Sequence, residues 1–455
     1  MEPQMQLDAQ AAVAERQQST GLQTDQWPRS GGEPRWGLAK KVGFRFVFAY
    51  LILFILTAQE IASIPGIDFV VEKYHGLWHR IVPWIGKHVL RLSYDMPMGP
   101  SGSGDKTYDW VLALCYLVLA VVVSVVWSVL DRKRTSYSRL HHWLRLAVRF
   151  SLGVAMIMYG TAKAIPLQMP APSLGRLLEP YGDSSPMGIL WTFIGASAPF
   201  EIFTGCAELL GGILLLLPRT TLLGALICIA DSTMVFVLNM SYDVPVKLYS
   251  FHLLLMGVFL IVPDLGRLGK MFILNRPVAP AQSPRFFNGK WLNRVPQAAL
   301  TALGLFLLGL NFYGAFGAVK QYGWGAPRSP LYGIWDVAEL NIDGRDRPPL
   351  VTDQSRWRRI IFQSPERLTI QPMAGTNLYY VIDLNTEAGT MDLTKSSDPD
   401  WKAGLTYSRV DPEHMTVDGT IDGQRTHAAL VRFDDSKFLL RNRGFHWVQE
   451  LPFNR

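Results

Sequence analysis

The stretch RFSLGVAMIMYGTAK, residues 149–163, decides how this chain is read. It is apolar enough to lie in a bilayer, yet a cation stands at each end. Arg149, Gly153, Met156, Gly160 and Lys163 follow one another at +4, +3, +4 and +3, so at about 100° per residue they form one narrow helical stripe. Glu201, Gly205, Glu208 and Gly212 repeat the rhythm, and Gly224, Cys228 and Asp231 carry it into a third run. Small residues let transmembrane helices approach closely. Charge inside a membrane is costly unless it meets a partner or a wet cavity.

The whole composition agrees with that setting. Of 455 residues, 49% are hydrophobic and only 18% charged, with mean hydropathy +0.14; soluble domains carry about 25% charge. The 44 Lys and Arg against 37 Asp and Glu leave a net +7. These cations gather in short clusters between apolar runs, which is how membrane topology is written, so no nucleic-acid partner is expected. Cys115, Cys206 and Cys228 all lie in apolar runs without a C-x-x-C pair. No disulfide scaffold, cysteine zinc site or dithiol centre can be built from them within one chain.

Seven runs approach the ~20 residues that cross a bilayer: 42–64, 109–130, 143–162, 187–217, 220–240, 246–263 and 294–315. Pro199 divides the fourth, leaving 187–198 as an interfacial or re-entrant piece. Basic clusters at Arg35 to Arg45, Arg132 to Arg139 and Arg267 to Lys290 fall on one side, which makes the amino terminus cytoplasmic and everything after the seventh span external. Trp78, Ile81, Val82, Ile85, Val89 and Leu92 predict an amphipathic helix lying on the outer interface.

From about residue 328 the pattern changes to short alternating segments. Turn signals such as Ser364-Pro365, Asp418-Gly419 and Asp422-Gly423 separate strands expected at 333–341, 356–363, 367–373, 377–384, 389–395, 401–409, 414–421, 425–433 and 437–449, the last long enough for two. Such strands fit a small barrel that removes its own edges. Tyr379, Val381, Leu368, Ile370, Phe438 and Leu440 are its expected interior residues. Phe445, His446 and Trp447 are expected to touch the membrane unit.

The fold expected is thus an α-helical integral membrane bundle of about seven transmembrane helices plus a C-terminal all-β barrel. Its divisions are a disordered cytoplasmic tail (1–34), two transmembrane helices with the external amphipathic helix over 77–92 (35–142), a four-helix membrane unit (143–265), a cytoplasmic loop, seventh helix and linker (266–327), and the barrel (328–455).

Lys163, Glu208, Asp231 and His252 are the candidate catalytic groups, with Arg149, Glu201 and Lys247 as pocket residues. Buried carboxylates can exchange protons, or they can pair with Lys163 and Arg149 and fix helix register. His252 sits in Leu248-x3-His252-x2-Leu255, similar to a loose pattern around quinone-binding histidines. A lone helical histidine is also a common interhelical hydrogen-bonder. His75, His79 and His88 could ligate a metal, but an interfacial helix face explains them equally well and no metal site is assigned.

Residues 143–265 resemble the DoxX family of the wider DoxD-like group. The resemblance rests on Arg149-x3-Gly153 with Gly160 and Lys163, and on Ala207-Glu208-Leu209-Leu210-Gly211-Gly212-Ile213-Leu214 followed by Arg219 and Thr220. Pro218 stands where such proteins commonly carry Gly. The resemblance implies a four-helix bundle in the cytoplasmic (inner) membrane, associated with thiosulfate oxidation through quinone or with thiol and oxidative stress. Separately, Gly333-Ile334-Trp335 resembles the G-x-W signature of lipocalin or calycin barrels. That resemblance implies a late arginine, Arg441 or Arg443, covering Trp335 by packing and cation–π attraction.

Two functions follow as expectations. One is a subunit of a quinone-linked membrane oxidoreductase whose polar pocket lies between helices three to six. No metal, flavin or nucleotide motif is present and no cofactor is identifiable, so an electron donor would be a redox partner protein or the substrate itself, and a quinone is the apolar carrier the pocket could hold. The alternative is a non-catalytic binding or assembly protein that carries or caps a lipid or quinone with a periplasmic barrel. Membrane lipid is a partner under both.

Overall fold

In the computed structural model, residues 35–99, 101–280, 286, 287, 289 and 291–454 are described. The tail expected over 1–34, and Arg285 and Lys290 of the third basic cluster, lie outside them. The bundle comprises α1 (Leu38–Thr57), α2 (Asp68–His88), α3 (Thr107–Leu130), α4 (Ser138–Ala164), α5 (Pro186–Gly195), α6 (Ala198–Leu216), α7 (Thr221–Ser241), α8 (Lys247–Ile261) and α9 (Val295–Ala318).

Among the described residues, six helical stretches are long and apolar enough to cross a membrane: α3, α4, α6, α7, and the runs Lys247–Ile273 and Val295–Gly325. This is a multi-pass membrane architecture. The expected first span, 42–64, is not one helix. α1 carries Lys40, Lys41 and Arg45 near its start and ends at Thr57, where Ala58 turns extended (φ −71°, ψ 142°) before a single turn at Gln59–Ala62. The fourth run does divide near Pro199, which occupies the first turn of α6, where a missing N–H leaves no hydrogen bond unmade. The amphipathic helix begins earlier than expected, at Asp68, and buries Trp78 and Val82 against Tyr108, Val111 and Tyr116 of α3.

The C-terminal domain is a closed antiparallel barrel of eight strands: β1 (Gly333–Ile342), β3 (Trp357–Ser364), β4 (Arg367–Pro372), β5 (Leu378–Asn385), β6 (Thr390–Lys395), β7 (Asp398–Arg409), β8 (His414–Ile421) and β9 (Gln424–Arg432). A two-residue β2 (Arg345–Asp346) folds back on the end of β1. β1 pairs with both β3 and β9, which closes the ring and leaves no long edge exposed. The expected ninth strand over 437–449 is absent; the chain there makes a helical turn at Leu439–Asn442.

Several finer expectations are corrected. Asp418-Gly419 is not a turn but lies inside β8, where Gly419 is needed because a Cβ would meet the Gly404 carbonyl of β7 at 2.7 Å. Leu368 and Ile370 do point inward, but on β5 the interior residues are Tyr380 and Ile382, while Tyr379 and Val381 are 60% and 49% exposed. A shift of one residue exchanges the two faces of a strand. Phe438 packs in a separate small cluster, Leu440 is exposed, and Phe445 and Trp447 are exposed rather than seated on the bundle. Trp335 is buried and donates its indole N–H to the Leu331 carbonyl at 3.1 Å. The cation over its ring is Arg409 of β7 (5.8 Å), not Arg441 or Arg443. Trp335, Phe362, Tyr380, Met391, Met415 and their neighbours form one continuous cluster, so the barrel is filled by its own side chains.

The barrel rests on the bundle through the segment after α4. Leu174 is fully buried with Ile334 and Ile361, and its backbone N–H donates to Gln363 Oε1 at 2.8 Å.

Candidate functional site

Glycine sets the geometry of the bundle core. α4 and α6 meet backbone to backbone: a Cβ on Gly160 would lie 2.7 Å from the Leu209 nitrogen, and one on Gly212 2.8 Å from the Gly153 carbonyl. α6 and α7 meet similarly, with Gly211 against Cys228 Sγ and Gly224 against the Leu215 nitrogen. The small-residue stripes are therefore the helix contacts, and the charges between them face inward together.

Lys163 leans back along α4 and donates to Glu208 Oε1 of α6 in a buried ion pair. Glu208 Oε2 is buried with no hydrogen-bond partner among the described residues, and so is Asp231 Oδ2 on α7. Asp231 lies within electrostatic reach of both Glu208 and Lys163. Glu201, fully buried, accepts the Met169 backbone N–H at 2.8 Å through Oε1, and its Oε2 has no hydrogen-bond partner among the described residues. It fastens the chain leaving α4 and stands within reach of Lys163.

His252 belongs to a different contact. Its Nδ1 bonds the Leu248 carbonyl at 2.7 Å, its Nε2 the Tyr50 hydroxyl at 2.6 Å, and Phe54 stacks on the ring at 4.1 Å. A carbonyl only accepts, so Nδ1 carries the hydrogen; Nε2 of the neutral ring then accepts from Tyr50. His252 thus joins α8 to α1 with both nitrogens satisfied. Arg149 lies at the other end of the bundle, against Thr221 Oγ1 at 3.4 Å. Lys247 bonds Asp243 at 2.8 Å in a partly exposed pair, while Asp105 receives the backbone N–H groups of Lys247 and Leu248 and caps α8. Lys163, Glu208, Asp231 and Glu201 are brought together; His252, Arg149 and Lys247 are not part of that group. Among the described residues, no set of three His, Cys, Asp or Glu side chains is placed to hold a metal.

No protein-family model matches the chain, and no solved structure matches it. Over 118 residues, 26% of its length, the chain is 32% identical to Uncharacterized protein YwoB of Bacillus subtilis (strain 168), covering 73% of that protein. Through this segment, the chain belongs to the YwoB family.

That relationship assigns no chemistry, so what this YwoB-family chain can do rests on its side chains. One of them escaped the sequence reading. Glu60, fully buried, accepts from Ser151 Oγ at 2.6 Å and from the Tyr249 hydroxyl at 3.0 Å. Tyr159 lies within electrostatic reach of both Glu60 and Glu208, with its ring 5.9 Å from that of Tyr249. Arg45, which in the sequence is one of the cations flanking the first apolar run, is 2% exposed and bonded to Tyr137, Ser128 and the Asp131 carbonyl. A single acidic residue in an apolar run was the available signal for Glu60.

Proposed function

We propose that this chain is a cytoplasmic-membrane protein, DoxX-like over 143–265, that moves protons at a buried centre of Lys163, Glu208 and Asp231 as a subunit of a quinone-linked oxidoreductase. In this reading the amino terminus is cytoplasmic and the barrel extracytoplasmic, with a redox protein as partner. The observation that carries it is the pair of unpartnered carboxylate oxygens, Glu208 Oε2 and Asp231 Oδ2, beside a single cation. Three ionisable groups with one Lys leave a surplus of negative charge when all are ionised. A low-dielectric site relieves that surplus by holding a proton, and a group that holds one can pass it on. His252, satisfied on both nitrogens, supports helix packing in this scheme.

The test is Glu208→Gln in purified full-length protein with its membrane partners. It keeps the shape and a bond for Lys163 but cannot exchange a proton. Quinone reduction is expected to fall at least about a hundredfold, the low end of general acid–base contributions, with protein level and melting temperature unchanged. An unchanged rate overturns the proposal.

The filled barrel supports the second reading in modified form: a non-catalytic assembly role, in which the barrel acts as a cap through its outer surface. That reading predicts that Glu208→Gln changes no rate and that partner proteins are lost when the barrel is removed.

A further inference from the structure

A groove of about 420 Å³ runs along the side of the bundle between α4 and α9, with Ser63 and Leu167 contributing from adjoining segments. Its walls are aliphatic, built from Met158 and Ala162 on one side and Leu307, Leu310 and Ala315 on the other. None of its lining residues is charged or aromatic. The α9 span is only 17% buried within the protein, so the groove opens toward the hydrocarbon of the bilayer.

Thr161 lines this groove at 2% exposure, and its hydroxyl has no hydrogen-bond partner among the described residues. That is unusual for a helical threonine, whose hydroxyl ordinarily bonds a carbonyl one turn back. Asn311 Nδ2 gives one hydrogen to the Leu307 carbonyl at 2.9 Å, which leaves its second free to donate. Ser63 has spent its hydrogen on the Glu60 carbonyl at 2.7 Å. The groove therefore offers donors and no cation. Thr161 stands three residues before the end of α4, about 4.5 Å from the helix terminus at the usual rise per residue.

We propose that this groove is a binding site for an acyl chain of an ester-linked membrane glycerolipid, with the ester carbonyl accepting from Thr161. Aliphatic walls match an acyl chain, and a donor without a partner matches a carbonyl. A phosphate finds no cation in the groove, so the headgroup stays outside it; a planar quinone ring finds no aromatic side chain to stack on. The bound chain packs α9 onto α4 next to the linker that leads to the barrel, where Gly323 lies against the Pro166 carbonyl. This site is separate from the Lys163–Glu208 pair and stands whether or not that pair moves protons.

The test uses the delipidated full-length protein in micelles, incubated with diacyl phosphatidylcholine or with its dialkyl ether analogue, and counts retained lipid by native mass spectrometry. The ester lipid is expected at one per chain and bound about fivefold more tightly than the ether, the worth of one hydrogen bond. Thr161→Val should bring the ester down to the ether's affinity. Gly314→Leu, at a position where an added Cβ meets nothing within 4 Å, should fill the groove and abolish retention of both. Equal retention of ester and ether by the unaltered protein overturns the proposal, even if a variant fails to fold. So does displacement of the ester lipid by an equimolar quinone, which would assign the groove to that molecule.

Discussion

Glu60 is a carboxylate held in an apolar core by two hydroxyls, Ser151 and Tyr249. Replacing it with Leu strands both, and each unpaired buried hydroxyl costs about 1–3 kcal/mol. Glu60→Leu is therefore expected to lower the melting temperature in detergent clearly, and Glu60→Gln to lower it little, because the amide can still bond both partners. Equal melting of the two variants would remove the hydroxyl contacts as the cause. In the barrel domain, Asp353 is partly buried, and its carboxylate accepts from Ser355 Oγ and N–H and from the Arg356 N–H. These bonds, those of Ser355 foremost, hold it below the ordinary aspartate range. A depressed value means that the stabilisation is present above the ordinary range and is lost as the pH falls through the depressed one. The melting difference between wild type and Asp353→Asn should accordingly be visible at neutral pH and close in strong acid. A gap that persists at the lowest pH would make the contribution non-ionic.

At the scale of elements, the contact between α4 and α6 depends on the missing side chains of Gly160, Gly205 and Gly212. A Cβ at Gly205 would run into the Ala164 nitrogen, which is backbone and cannot rotate away. Gly205→Val should separate the helices and break the Lys163–Glu208 pair, costing about 3 kcal/mol or more as overpacking does when no side chain can yield. Gly309→Ala, where nothing lies within 4 Å, is the control and should melt like the unaltered protein. Equal effects at the two sites would mean that glycine acts there through helix propensity alone. The stripe was legible in the sequence because helical spacing repeats whatever the surroundings. Strand phase on β5 was not, since Leu378–Asn385 is apolar or aromatic at neighbouring positions and alternation alone gives no phase.

At the scale of the molecule, a membrane bundle and a filled, closed barrel meet at Leu174, which is buried between Ile334 and Ile361. Leu174→Asp places a charge in that contact. The barrel should stay folded, because its core is continuous without Leu174, while the linker between α9 and β1 becomes more readily cut in limited proteolysis. Cleavage at the wild-type rate would show that the two parts are held together elsewhere.

The sequence by itself determined the class of the protein: apolar runs long enough for a bilayer, glycine stripes at helical spacing, and alternating segments closing as strands. Those are local periodicities, and local sterics and solvation enforce them regardless of what packs nearby. Only the tertiary structure decided which charges meet. Lys163 joined Glu208 while Arg149 and Lys247 went elsewhere, and His252 turned to Tyr50 on α1. Glu60 entered the core because the first apolar run breaks at Ala58. Such pairings depend on the rotation and depth of each helix against the others, which side-chain packing fixes and a one-dimensional pattern does not carry.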